Sequence, residues 1–124
     1  MYEILAIAVG GAVGAVARFA VVRSAHSIWG ADFPWGVLIA NTLGSFLVGL
    51  LSVLLVFKLD LPAELRAGIL VGVLGAFTTF STFSLDTLLL IEQGVLIKAA
   101  GNVLINVSLC LLFVWAGVLL ARQM

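Results

Sequence analysis

Charge is what this chain has least of. Only 10% of its 124 residues are Asp, Glu, Lys or Arg, split evenly between six basic and six acidic side chains. An ordinary soluble domain carries about a quarter charged residues, so that class is excluded. No basic stripe exists to follow a phosphate backbone, and no nucleic-acid partner is expected. Cysteine is equally scarce. Cys110 stands alone in an apolar stretch, which rules out a disulfide framework or a cysteine metal site within one chain. The one histidine, His26, falls in a loop between apolar runs. No Ser-His-Asp, Cys-His or HExxH constellation can be assembled, and a glycine-rich phosphate loop with its lysine is missing. An enzyme is not expected. A basic n-region and an A-x-A-like cleavage site are also missing, so the first apolar run reads as a retained span rather than a cleavable signal.

What the chain does have is hydrophobicity, with 64% apolar residues and a mean hydropathy of +1.31. About 20 apolar residues cross the roughly 30 Å hydrocarbon layer. Four stretches meet that requirement, at about 4–22, 35–57, 66–90 and 95–120 of a single domain, 1–124. The sequence therefore specifies an all-α integral membrane protein of four transmembrane helices. An even number of spans puts both termini on one side, with Lys58, Arg66 and Arg122. Arg18, Arg23 and Lys98 fall on the other. Orientation follows Lys/Arg asymmetry, and a three-against-three count supplies none. Either the count is too small to matter, or the chain inserts both ways and pairs antiparallel.

Small and polar residues are distributed unevenly over these spans. The first contains Gly10/Gly14 as a GxxxG pair interleaved with Gly11/Ala15, which permits close helix–helix approach in lipid. Arg18 lies about a turn from its end, either snorkelling to the interface or facing a watery vestibule. The second span opens at Pro34-Trp35 and carries Asn41, Thr42, Gly44, Ser45 and Gly49. An asparagine in a span is either interhelical glue or a donor aimed into an ion path. The fourth has Asn102, Asn106 and Cys110 at i, i+4 and i+8, on one face of a helix.

The third span is the most informative. From Pro62 to Leu90 a straight helix would run about 43 Å, longer than the membrane needs. Asp60 is placed to cap its start. Gly68, Gly72 and Gly75 then precede Ala-Phe77-Thr78-Thr79-Phe80-Ser81-Thr82-Phe83-Ser84. Phenylalanines three apart share a face, and hydroxyls fill the positions between them. A break near Gly75–Thr79 accounts for the excess length and the hydroxyls, because unwound backbone leaves carbonyls that must find partners. Asp86 follows two turns on, near the mouth of any path. No carboxylate lies mid-span, whereas amide and hydroxyl donors do, with the positive edges of phenyl rings. This donor set suits an anion, and one small chain barely encloses a path, so a homodimer or larger assembly is implied.

Gly10-Gly11-Ala-Val-Gly14-Ala-Val-Ala-Arg18, Pro34-Trp35-Gly36-Val-Leu-Ile-Ala-Asn41-Thr-Leu-Gly44-Ser45-Phe46-Leu-Val-Gly49 and Gly72-Val-Leu-Gly75-Ala-Phe-Thr78-Thr79-Phe80-Ser81-Thr82-Phe83-Ser84 resemble, in order, the Fluc (CrcB-type) fluoride channels. The resemblance covers nearly the whole chain. It implies an antiparallel, dual-topology homodimer in the bacterial inner membrane, with two fluoride pores and one central structural sodium ion. It further implies sodium ligation by the backbone carbonyls of Gly75 and Thr78. Phe80 and Phe83 would line each pore by their ring edges, Asn41 would be the pore amide, and Ser81 and Thr82 would fall along the same pathway. Family members usually carry Tyr and Ser where Asn102 and Asn106 stand, a departure that still offers hydrogen bonds to an anion. The implied activity is passive fluoride export. A small multidrug-type, proton-coupled transporter is the alternative, but Glu3 is poorly placed as its intramembrane carboxylate. A purely structural membrane subunit would need no polar interior.

Overall fold

The computed structural model describes all residues, Met1–Met124. The chain is entirely helical. α1 spans Tyr2–Trp29; α2 spans Trp35–Val53 and runs on as a π-helical turn, Leu54–Lys58. α3 is a composite of Ala63–Ala67, a π-helical stretch Gly68–Leu74, and Gly75–Phe77. α4 (Phe80–Glu92) and α5 (Leu96–Gln123) complete the chain. Counting α3 and α4 together, four helical runs are long and apolar enough to cross a membrane. Each extends beyond the apolar core read from the sequence, most of all α1, which continues seven residues past Val22 to Trp29 and so takes His26, expected in a loop, into its last turn.

Burial is inverted relative to a soluble protein. Ile4, Val16, Phe19, Phe57, Ile97 and Leu111 are all exposed, while Asn41, Thr79, Asn102 and Asn106 are buried. Lipid tails solvate the first group, so apolar burial does not hold such a bundle together; close packing and internal hydrogen bonds do. The glycines mark where packing is closest. A Cβ on Gly10 would collide with the Gly68 carbonyl, and one on Gly14 with the Val73 carbonyl. The GxxxG pair is thus consumed inside the subunit, seating α1 on the π-helical part of α3. Gly11 instead faces open space. Gly49 and Gly117 do the same work between α2 and α5, where a Cβ would meet Val114 and Phe46 backbone respectively.

Connections are short. Gly30 and Gly94 end α1 and α4 with φ of 79°, a left-handed conformation that glycine adopts without steric cost. Asp60 does not cap α3. It has a positive φ of 44° in the preceding turn, and Pro62 holds the N-cap position without a side-chain cap.

Candidate functional site

Two extended residues separate α3 from α4. Thr78 (φ −85°, ψ 155°) and Thr79 (φ −152°, ψ 118°) lie outside both helices. Thr79 is only 6% exposed, so its backbone N–H and C=O need partners. Asn41 of α2 supplies both. The Thr79 N–H donates to Asn41 Oδ1 at 2.7 Å, and Asn41 Nδ2 donates back to the Thr79 carbonyl at 3.0 Å. Gly44 allows this approach, since a Cβ there would strike the Thr78 methyl group. Thr79 also caps α4, its Oγ1 accepting from the Thr82 N–H at 3.2 Å and donating to Thr82 Oγ1 at 3.1 Å.

The clamp has a consequence one turn back. In a continuous helix the Thr79 N–H would bond the Gly75 carbonyl; here it is turned to Asn41. The extended Thr78 likewise carries its carbonyl off the helical path, and no backbone donor reaches it. Gly75 is exposed and Thr78 half-buried. Two neutral carbonyl oxygens three residues apart are therefore released from the helix at the surface of the subunit. Such oxygens suit a hard monovalent cation.

Beside the clamp lies a groove of about 440 Å³, none of whose lining residues is charged. Asn41 and Ser45 of α2, Thr78, Thr79, Phe80 and Phe83, and Asn106 and Cys110 of α5 contribute to it. Phe83 is 8% exposed and Phe80 77%, with ring centroids 5.3 Å apart and planes inclined at 52°. One ring is thus built into the wall, while the other projects from the subunit.

The helix 5 amides divide their work. Asn106 lines the groove, but Asn102 does not. Asn102 is 1% exposed and donates through Nδ2 to Thr87 Oγ1 at 2.9 Å, while Thr87 donates to the Phe83 carbonyl at 2.8 Å. This relay ties α5 to the helical turn that carries Phe83. Asn106 Nδ2 donates to both the Asn102 carbonyl and Asn102 Oδ1, at 2.8 and 2.9 Å, which leaves Asn106 Oδ1 with no partner. Ser81 and Thr82 join the Thr79 hydroxyl network, 3.3 and 3.1 Å from its Oγ1, without lining the groove. Arg18 and Asp86 are half-buried elsewhere on α1 and α4. Sequence reasoning counted Thr79 among the hydroxyl donors of the third span but assigned neither it nor Ser45 to the pathway. Ser45 had a signal, one helical turn after Asn41 on the same face; Thr79 had only its place in the hydroxyl run.

Four apolar helical runs, with buried amides between them and an uncharged, mostly apolar groove edged by amides and hydroxyls, define a multi-pass helical membrane protein. The family model for "CrcB-like protein, Camphor Resistance (CrcB)" matches residues 5–118, and the chain belongs to that family. It is 56% identical over 122 residues to the "Fluoride-specific ion channel FluC" of Methylococcus capsulatus, with 98% of this chain covered but only 54% of that protein's length. It is 48% identical over 124 residues to the protein of the same name from Geobacter sulfurreducens, covering 100% of both. A third FluC, from Hydrogenovibrio crunogenus, is 43% identical over 121 residues, covering 98% of this chain and 92% of the relative.

Proposed function

We propose that this chain is a fluoride channel that lets fluoride leave the bacterial cytoplasm passively across the inner membrane. The observation that carries the reading is the groove: its polar groups are hydroxyls and amides, its aromatic wall is Phe80 and Phe83, and no carboxylate is present. Intramembrane carboxylates are the usual signature of cation and proton paths. Neutral donors and phenyl edges instead replace part of an anion's hydration shell without binding it so tightly that it cannot leave. The end-to-end match to a relative named for fluoride conduction selects the anion. The multidrug-type alternative lacks support, since Glu3 is exposed at the first turn of α1, outside the groove.

The functional unit in this reading is an antiparallel homodimer of dual-topology subunits, with the third span working as a broken helix and two pores per dimer. The exposure of Phe80 and Gly75 and the open space beside Gly11 on a single subunit support it, because each presents a feature that a second copy would complete. Gly75 and Thr78 would hold a structural sodium ion through carbonyls that Asn41 keeps out of the helix. The bound ion would supply a fixed positive charge between the pores, favouring anion entry. Asn41 sets the backbone, Phe83 and Phe80 present ring edges, and Thr79 brings its hydroxyl to the groove, with Ser81 and Thr82 meeting the anion only beyond it. Hydrogen fluoride that enters a cell ionises in the less acidic cytoplasm, and a passive fluoride path would then relieve the accumulation.

The test is ion efflux from liposomes holding the purified protein, with fluoride or chloride as the trapped anion. Rapid fluoride efflux with little chloride efflux is expected. Equal efflux of the two anions, or none of either, would refute the proposal.

A further inference from the structure

A second concavity, of about 420 Å³, lies on the outer side of α1 and is lined by Val16, Phe19, Ala20, Arg23, Ser24 and Ser27. We infer that it binds the headgroup phosphate of an anionic phospholipid through Arg23, Ser24 and Ser27, with an acyl chain along Val16, Phe19 and Ala20. At about 100° per residue, Arg23 falls on the side of α1 opposite Gly14, the glycine that packs against Val73. The site therefore looks away from the bundle and the groove, and Arg23 is exposed.

Depth fits a headgroup. The 28 residues of α1 are about 42 Å long, so about eight of them exceed the hydrocarbon layer of about 30 Å. If its N-terminal turn marks one boundary, residues from about Val22 onward lie among headgroups. The exposed Trp29 beyond them is suited to that interface. Charge fits as well. Between Glu3 and Asp32 the chain has no acidic residue, so the one carboxylate on Arg23's own helix, Glu3, stands at its opposite end. Its guanidinium sits over the Phe19 ring at 5.8 Å. No hydrogen bond within the subunit engages this guanidinium, so its fork of N–H donors is free for a planar pair of oxygens, the arrangement with which arginine grips phosphate. Ser52, Ser84 and Thr87 bond back to their own helices, whereas neither Ser24 nor Ser27 has such a bond. Their hydroxyls remain free to donate. Below this head, Val16 and Phe19 are 68% and 62% exposed, an apolar floor that a free phosphate would not use and an acyl chain would. That floor commits the site to a lipid.

The site can be tested on the full-length protein by native mass spectrometry, titrating phosphatidylglycerol and phosphatidylcholine of matched chains. Phosphatidylglycerol should be retained about tenfold more strongly than phosphatidylcholine. Arg23→Gln should abolish that preference, Arg23→Lys should restore part of it, and Ser24→Ala with Ser27→Ala should weaken it about threefold. Lys98→Gln, at another interfacial cation, should leave it unchanged. Equal loss in Lys98→Gln would show charge attraction without a site and overturn the inference. So would an undiminished preference in Arg23→Gln, or displacement of the lipid by equimolar inorganic phosphate. Each variant is accepted only with an unchanged mass spectrum of the folded protein, and the Ser pair reads the same site should Arg23→Gln fail to fold.

Discussion

Asn41→Ala tests the clamp between α2 and the extended residues. The substitution removes the acceptor at 2.7 Å and the donor at 3.0 Å from the Thr79 backbone, leaving two buried polar groups in an apolar interior. Each stranded group costs about 1–3 kcal/mol, so the pair amounts to about 2–6 kcal/mol of local stability. Hydrogen exchange by mass spectrometry can read this directly, because local opening governs amide exchange. At about 1.4 kcal/mol per tenfold, even the lower figure accelerates exchange in peptides covering 75–84 by about 30-fold. Peptides from the middle of α5 should be unaffected. Asn41→Asp keeps an oxygen for the Thr79 N–H but replaces the NH₂ facing the Thr79 carbonyl with a second acceptor, so its effect should be about half to equal that of alanine. On the channel reading, fluoride efflux falls in both variants along with protection at 75–84. Unchanged exchange in that segment would refute the clamp, and so would a uniform rise across all helices.

Gly14→Leu drives a side chain into the Val73 carbonyl and should cost about 1–3 kcal/mol or more, seen as a lower SDS midpoint for unfolding. Gly11→Ala, facing open space, should change that midpoint by less than about 0.5 kcal/mol. Phe80→Ile or Phe83→Ile should sharply reduce fluoride efflux while the oligomer, measured by light scattering, persists. Cysteine placed in the loop after Gly30, in a Cys110→Ala background, should be labelled from both sides of the membrane; labelling from one side only would exclude dual topology. On the sodium-site proposal, purified protein should retain sodium after dialysis into potassium, with Thr78→Ser mild because the proposed ligand is a carbonyl, and a bulky residue at Gly75 severe.

Much of the architecture was legible before any coordinates. A run of apolar residues long enough to cross hydrocarbon has few alternatives to a helix, because the backbone must satisfy itself internally. The four runs follow from that requirement, and the family motifs point to an anion path. The π-helical stretch Gly68–Leu74 was not legible. It forms where Gly10 and Gly14 bring α1 against α3, and nothing in local propensity announces that contact.

Helical periodicity assigns residues to faces and says nothing of what the face meets. Asn102, Asn106 and Cys110 share a face by spacing, yet Asn102 is turned to Thr87 while Asn106 and Cys110 reach the groove. Phe80 and Phe83 likewise share a face, one built into the wall and one projecting from it. Asn41 could be read alone as glue or as a pore donor. Its partner lies 38 residues away, at a distance only the packed bundle closes. The sequence by itself determined the membrane, the number of spans and where polar groups occur along them. Tertiary structure alone decided which of those groups satisfy the backbone and which stay free, because a hydrogen bond in an apolar interior is chosen by the nearest unsatisfied partner, not by position in the chain.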